Sequence, residues 1–203
     1  MRGLEKILGL DLAGSPKRKT GYAYWEEGKL KVGVLYTDEE ILELASRFSL
    51  VMIDAPLSIP AGRKSLHERG PHFRECDLLL RKHGHRFFPV TLGPMRMLTE
   101  RAMRLAESLR KGGAQVFETF PGALYDILGL DRKDRVAILG FYMSLPLKLE
   151  RRGYSQDELD AIACWLAGVC YLTDRSLSFS GGDGEIVVAT RECISSALSL
   201  DKK

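Results

Sequence analysis

Five carboxylates occupy the positions in this chain that are best placed for chemistry. They lie at the ends of its most strand-like and helix-like segments: Asp11, Asp54, Glu118, Asp157 and Asp160. Carboxylates that converge in one crevice repel one another by roughly 4 kcal/mol per close pair at an effective dielectric constant of about 20. A cation is therefore needed to hold them together, and the residue types favour a divalent metal ion.

Three short apolar runs predict buried strands that position the first three acids. Asp11, Asp54 and Glu118 each follow such a run directly. The runs are residues 7–10, 50–53 and 114–117. In an open α/β sheet, ligands bind outside the carboxyl ends of the strands. A strand-end aspartate can instead bond to the amides of the following turn, but the feature recurs at three strand ends, which favours a shared site.

A predicted helix carries the last two acids. Ser155 and Glu158 form a capping-box pattern, and Asp157 and Asp160 stand three residues apart on one side of the helix that follows. Asp157 also suits a favourable interaction with the helix dipole. Asp160 lies past the first turn beside an apolar run, where an unpaired charge is costly. We therefore favour Asp160 over Asp157 as a metal ligand.

The remaining pattern predicts the elements that must hold these acids. Three strands form an antiparallel meander, the latter two joined by a tight turn at Glu27-Gly28. A helix follows that begins with a capping box of Thr37 and Glu40. Residues 95–111 form a second strongly amphipathic helix, with Met97 on the apolar face that is expected to be buried. The order is β-β-β-α-β, an insert at about 61–113, then α-β-α-α-α. We expect one α/β domain over 1–203, with a mixed five-stranded sheet flanked by helices.

Charge is unevenly distributed along the chain. The net charge of +3 for 203 residues combines a segment 61–113 of +7 with a remainder of −4. A basic helical insert beside an acidic crevice suits a polyanion held across a metal site. A solvated, salt-bridged helical region is the alternative interpretation of the same charges.

Composition excludes several other classes of protein. No apolar stretch approaches the roughly 20 residues needed to cross a bilayer, so we expect no membrane association and a cytoplasmic location. The four cysteines show no Cys-x-x-Cys pair, which argues against a zinc ribbon or a disulfide framework, and we expect four buried free thiols. The oligomeric state stays open, with a homodimer among the alternatives.

An ordered set of motifs resembles a known family. They are Gly9-Leu10-Asp11, Ile53-Asp54-Ala55-Pro56, Arg74-Glu75-Cys76-Asp77, Phe117-Glu118-Thr119-Phe120-Pro121 and Asp157-Glu158-Leu159-Asp160-Ala161. Together they are similar to domain-of-unknown-function family 429, over about residues 5–190. The last motif also resembles the final acidic motif of RuvC-type resolvases. The element order is similar to the ribonuclease H-like arrangement, in which the first strand is central and its aspartate anchors the active site.

The resemblance implies a metal-dependent nuclease that acts on DNA or RNA. Two Mg²⁺ or Mn²⁺ ions about 3.5–4 Å apart would be bridged by Asp11 and would hydrolyse a phosphodiester bond. Asp54, Glu118 and Asp160 would complete the ligands, with Asp157 as an auxiliary acid. The candidates for phosphate contacts come from the basic insert: Arg74, Arg81, Lys82 and Arg86.

Two other classes of function fit the pattern less well. A non-catalytic ribonuclease H-like scaffold for nucleic acid or protein has no need of clustered acids near a polyanion. An actin-like or sugar-kinase-like phosphotransferase shares the topology and has a small-residue loop like 11–15. Such enzymes pair two domains around the nucleotide, however, and the chain contains no Gly-x-x-x-x-Gly-Lys-Ser/Thr motif.

Overall fold

A seven-stranded mixed sheet forms the centre of the protein in a computed structural model that describes residues 3–199. The strands are Ile7–Asp11 (β1), Thr20–Glu26 (β2), Lys29–Leu35 (β3), Leu50–Ile53 (β4), Gln115–Thr119 (β5), Leu177–Gly181 (β6) and Gly184–Val188 (β7). Their order in the sheet is β3-β2-β1-β4-β5-β7-β6. The prediction of five strands is wrong, because the hairpin of β6 and β7 extends the sheet beyond β5.

Seven α-helices of the described residues surround the sheet. They are Asp38–Ala45 (α1), Glu75–Lys82 (α2), Gly93–Lys111 (α3), Pro121–Leu128 (α4), Arg135–Met143 (α5), Gln156–Leu172 (α6) and Arg191–Ser199 (α7). Both predicted capping boxes are confirmed, at Thr37 with Glu40 and at Ser155 with Glu158. Within residues 3–199, no helix is long and apolar enough to span a membrane.

Strand β1 lies in the interior of the sheet, as the resemblance implies. It pairs antiparallel with β2 and parallel with β4, and β5 then pairs parallel with β4 and with β7. The carboxyl ends of β1, β4 and β5 therefore meet at one edge of the sheet. This is the edge at which the strand-end acids lie.

Alternating side chains of the strands build two separate cores. Ile7 and Met52 point to the face covered by α4, α5 and α6, whereas Leu8 and Val51 point to the face covered by α1 and α3. The sheet is thus the middle of three layers. A side chain's position in its strand decides which layer it faces.

The basic segment 61–113 supplies α2 and α3. Helix α2 packs against β6, where a β-carbon at Gly181 would lie 2.9 Å from the Cys76 amide nitrogen. Helix α3 buries Arg101 in its inner face and leaves Met97 57% exposed. The prediction that Met97 belongs to the buried face is therefore wrong. Arg101 instead donates hydrogen bonds to Asp38 and to backbone carbonyls across the sheet end.

Two of the four cysteines form a disulfide, which corrects the expectation of four free thiols. Cys170 near the end of α6 and Cys193 in α7 are bonded, with their Cα atoms 5.7 Å apart, and Cys76 and Cys164 are buried free thiols. The packing of α7 on α6 brings the pair together. A separation of 23 residues without a spacing motif gives no sign of this in the sequence.

Candidate active site

Two aspartates follow adjacent parallel strands at the carboxyl edge of the sheet. Asp11 is the last residue of β1, and Asp54 directly follows β4. The Asp54 amide donates a hydrogen bond of 2.8 Å to the Leu10 carbonyl, which continues the ladder between the two strands. The two acids are thereby fixed side by side, as the sequence predicts.

Helix α6 brings the next two acids to the same place because glycines let it lie directly on the sheet. A β-carbon at Gly9 would lie 2.5 Å from the Ala161 carbonyl oxygen, and one at Gly21 would overlap the Asp157 carbonyl group. The first two turns of α6 therefore cross β1 and β2 at backbone contact. Asp157 and Asp160 lie in those turns, beside Asp11.

Burial and mutual repulsion act together on the carboxylates. Burial, followed by repulsion from Asp54, Asp160 and Asp157, raises the pKa of Asp11 well above its usual value, and Arg18 acts against this increase. The pKa of Asp54 is raised well above its usual value by burial, then by Asp160 and Glu118, with Arg132 opposing. The cluster therefore carries more negative charge than its surroundings neutralise.

Asp160 is held from behind by hydrogen bonds. Its Oδ1 accepts a hydrogen bond of 2.6 Å from the Tyr125 hydroxyl and one of 2.8 Å from Gln156 Nε2. The Tyr142 hydroxyl in turn donates a hydrogen bond to the Tyr125 oxygen. Burial raises the pKa of Asp160 to about 6, although the bonds from Tyr125 and Gln156 act in the opposite direction. These contacts fix the orientation of the carboxylate toward the sheet.

Glu118 has a different environment from the aspartates. Glu118 and Asp11 lie on opposite faces of the sheet. Glu118 shares its face with Val116 of β5, which packs toward α3, whereas Asp11 shares its face with Gly9 of β1, which packs on α6. Both Glu118 oxygens accept hydrogen bonds of 2.6 Å from Arg74, and Oε2 also accepts 2.9 Å from the Leu57 amide. These three hydrogen bonds and the ion pair with Arg74 take up most of the acceptor capacity of the carboxylate.

Arg74 lies in the interior rather than at the surface. Its side chain is 1% exposed and binds Asp77 as well as Glu118. Burial acts against the charge, but the two carboxylates raise the pKa of Arg74 above its ordinary value. Arg74 also lines a cavity together with Asp11 and Asp54, and its contact with a substrate phosphate stays a prediction.

The other predicted phosphate contacts divide into two groups. Arg86 is exposed and lines a cavity beside Asp11 and Asp54. Arg81 and Lys82 are exposed in the last turn of α2 and line none of the cavities described below, and the Arg81 guanidinium stacks 4.5 Å from the centroid of the Phe73 ring. The structure therefore brings Arg86 to the acids and leaves Arg81 and Lys82 apart from them.

Three cations near the acids lie outside the predicted basic segment. Arg18 and Lys19 line a cavity with Asp11 and Asp157. Arg132 is held by Asp126 and by the Arg86 carbonyl, which accepts 2.6 Å from its Nη1. No sequence motif singles out Arg18, Lys19 or Arg132. Only the folded arrangement shows that they face the aspartates.

Asp11 lies where two cavities meet. One, of about 270 Å³, contains Asp54, Arg86, Arg132 and several aromatic side chains, and we call it the apolar cavity. The other, of about 240 Å³, contains Arg18 and Lys19, and we call it the basic cavity. The side chains that line both are Asp11, Leu12, Met95 and Leu98.

The donor set at this edge suits a hard divalent ion. Within residues 3–199, the Asp11 and Asp54 carboxylates accept no hydrogen bond, so their oxygens are free for other ligands. Carboxylate oxygens are the ligands that Mg²⁺ and Mn²⁺ prefer. No three His, Cys, Asp or Glu side chains of the described residues converge as the ligands of one ion. Joint ligation by the aspartates would therefore require side-chain rotation.

Comparison with known families identifies the chain. The model of the family described as "Protein of unknown function (DUF429)" matches residues 9–183, a range that contains all five acids. The chain belongs to the DUF429 family. The resemblance found in the sequence motifs is thereby confirmed.

Comparison with solved structures gives one further similarity for this DUF429 protein. A structure of T. thermophilus RuvC in complex with a Holliday junction substrate aligns with a TM-score of 0.42 at 16% identity, covering 82% of this chain and 95% of that one. No curated protein matches the DUF429 chain by sequence.

Proposed function

We propose that this DUF429 protein is a metal-dependent nuclease that hydrolyses phosphodiester bonds of nucleic acid. The observation that carries the proposal is the convergence of Asp11, Asp54 and Asp160 at one sheet edge, where they repel one another and where Asp11 and Asp54 have free oxygens. Cations lie beside them in both cavities. Acids that no cation neutralises can bind a metal ion, and the cations around them can bind phosphate. A metal-dependent nuclease requires both.

The fold supports this proposal through the position of β1. Five of the seven strands follow the order β3-β2-β1-β4-β5, with an antiparallel meander and then parallel strands. This order resembles the ribonuclease H-like arrangement expected from the element order. The hairpin β6–β7 is then an addition at the far side of β5.

Asp11, Asp54 and Asp160 are the residues that would hold Mg²⁺ or Mn²⁺, with Asp157 as an auxiliary acid. When bound, such ions supply an activated water and neutralise charge on the phosphate group. The elements β1, β4 and α6 fix the backbone positions of these residues, and rotation of the side chains would bring the carboxylates onto one ion. Tyr125 and Gln156 keep the Asp160 carboxylate oriented.

Glu118 is better placed to position the site than to bind metal. Its carboxylate holds the Leu57 amide, three residues after Asp54, while Arg74 neutralises its charge. We therefore propose that Glu118 and Arg74 fix the 54–57 turn. A ligand role for Glu118, as the sequence suggests, would require the ion pair with Arg74 to open.

Phosphate contacts are proposed for four cations that surround the acids. Arg86 and Arg132 lie in the apolar cavity, and Arg18 and Lys19 lie in the basic cavity on the other side of Asp11. Within residues 3–199, Arg18, Lys19 and Arg86 form no ion pair. Their charge is available to a polyanion that passes over Asp11.

A cleavage assay tests the proposal. Labelled single-stranded DNA, single-stranded RNA, duplexes and a four-way junction are incubated with the protein in Mg²⁺, in Mn²⁺ and in EDTA. We expect metal-dependent cleavage by the wild type and by Asp174→Asn, whose side chain is exposed at the far end of α6, and loss of cleavage in Asp54→Asn. Absence of cleavage in every substrate, or equal cleavage by Asp54→Asn, would contradict the nuclease function.

A further inference from the structure

The apolar cavity has walls that a metal site alone does not explain. Away from the aspartates it is lined mainly by apolar side chains, including Phe87, Phe88 and Phe120. Phe87 and Phe120 pack edge-on with their centroids 6.2 Å apart. Phe88 is 68% exposed, and its ring stacks on no other ring within residues 3–199.

We propose that the apolar cavity takes the base of an unpaired nucleotide, stacked on Phe88, while the phosphate beside that nucleotide lies at Asp11 and Asp54. The inference rests on the proposed nuclease function for the position of the phosphate. The substrate class is then nucleic acid with at least one nucleotide that is not base-paired.

Charge at the rim favours a nucleotide over an uncharged apolar ligand. Arg86 is exposed at the same cavity and has no ion pair within the described residues. Arg132 lies there too, with its guanidinium 5.1 Å from the centroid of Phe120. An aromatic wall with cations at its mouth matches a flat base joined to an anionic backbone.

The second cavity favours a chain over a free nucleotide. Asp11 lies between the two cavities, and Arg18 and Lys19 line the one on the far side. A phosphate next to the one at Asp11 would meet these two cations. The ligand therefore continues in both directions from the acids, as a strand does.

Base pairing decides which strands fit this arrangement. A base inside a duplex is stacked and paired, and it can enter a pocket only after extrusion from the helix, which costs free energy. A single-stranded segment or an unpaired nucleotide avoids most of that cost. We therefore expect preference for such substrates over a fully paired duplex of the same sequence.

The test uses a single-stranded oligonucleotide that contains one 2-aminopurine, whose fluorescence falls when the base stacks. The full-length protein is titrated into this strand and into its duplex, in EDTA and again with Ca²⁺. The variants are Phe88→Ala, Phe88→Tyr, which keeps a ring, and Val136→Ala. Val136 is an 83% exposed apolar residue in α5 that lines neither cavity.

We expect the wild type to quench the single strand and to bind it more tightly than the duplex. Phe88→Ala should bind about 5- to 150-fold more weakly, which corresponds to the loss of one base–aromatic stack. Phe88→Tyr and Val136→Ala should bind as the wild type does. Unchanged affinity in Phe88→Ala, equal affinity for duplex, or no binding by the wild type would overturn the inference.

The same variants separate this inference from the nuclease proposal. Binding as expected, without cleavage in Mn²⁺, would support the base site and overturn the nuclease function. Cleavage by the wild type that Phe88→Ala leaves unchanged, on paired and unpaired substrates alike, would support the nuclease function and overturn the base site.

Discussion

Gly9 of β1 lies against the backbone of α6 at Trp165, so closely that no side chain fits between them. A β-carbon at residue 9 would fall inside contact distance of the Trp165 amide nitrogen and 2.5 Å from the Ala161 carbonyl oxygen. Two residues later the same strand ends in Asp11, and one turn before Ala161 the same helix carries Asp157. This close approach is what places acids from two distant segments in one site.

Replacement of Gly9 should therefore disturb the site as well as the stability. We expect Gly9→Ala to lower the free energy of unfolding by about 1–3 kcal/mol, since backbone atoms must move to accept the methyl group. Gly140→Ala is the matched control, because a β-carbon there meets nothing within 4 Å. In α5 that change should raise stability by about 0.5–1 kcal/mol. Denaturant unfolding of both variants measures the difference, and a neutral Gly9→Ala would contradict the close approach.

Removal of Arg74 should lower the free energy of unfolding, and its effect should not be confined to substrate binding. The Arg74→Ala change leaves Glu118 and Asp77 buried without their cation, which costs about 3–5 kcal/mol. Chemical denaturation would show the loss. If Arg74 contacted substrate phosphate instead, stability would change little and nucleic-acid affinity would fall.

Arg86→Ala should show the opposite result. Arg86 is exposed and has no ion pair among the described residues, so the free energy of unfolding should stay within about 0.5 kcal/mol of the wild type. Its loss should weaken binding to a labelled oligonucleotide. The slope of log affinity against log salt concentration should fall by about one, which corresponds to the loss of one phosphate contact. An unchanged salt dependence would remove Arg86 from the proposed phosphate contacts.

Neutralising Asp11 should stabilise the protein when no metal is present. Burial and the neighbouring acids raise the pKa of Asp11, so the folded state holds its proton more tightly than the unfolded chain does. Stability is therefore lost as the pH rises from the unfolded pKa through the folded pKa. At neutral pH we expect Asp11→Asn in EDTA to be more stable by on the order of 1–3 kcal/mol. Thermal melts at pH 7 measure this, and a destabilised variant would contradict the repulsion.

Glu158 should contribute stability that disappears in acid. Burial acts to raise its pKa, but hydrogen bonds from Arg152 and from Ser155 lower the pKa below its ordinary value. The contribution is present above the unfolded pKa and is lost as the pH falls through the folded pKa. Glu158→Gln should cost about 1 kcal/mol at pH 7, as loss of a helix cap does, and nearly nothing near pH 2. The exposed Glu43→Gln in α1 is the control, and a cost independent of pH would contradict the ionic cap.

Much of the fold and the acid cluster was predictable from the sequence. The apolar runs before Asp11 and Asp54 predict buried strands, and the Ser155 capping box predicts where α6 begins. These local patterns have a direct physical cause. They could not show that Gly9 and Gly21 let α6 touch the sheet, because close approach depends on two segments at once.

The strand-end acids share one sequence pattern, but the sheet turns Glu118 to the face opposite Asp11, although both line the apolar cavity. Glu118 has the parity of Val116 in β5, which packs toward α3, whereas Asp11 has the parity of Gly9 in β1, which packs on α6. Its partner Arg74 comes from a segment whose pattern is weak. The sequence pattern also gives no sign of β6, since only Phe179 among its residues is buried. Each of these features depends on contacts between distant segments of the chain. The local sequence pattern contains little information about such contacts.

Binding of Mn²⁺ measured by isothermal titration calorimetry at pH 7 tests the central claim most directly, because it needs no knowledge of the substrate. The comparison is between the wild type, Asp11→Asn and the exposed control Asp174→Asn. We predict saturable Mn²⁺ binding by the wild type and by Asp174→Asn, and loss of that binding in Asp11→Asn. Equal binding by all three proteins, or no binding by the wild type at millimolar Mn²⁺, would contradict a metal site built on Asp11.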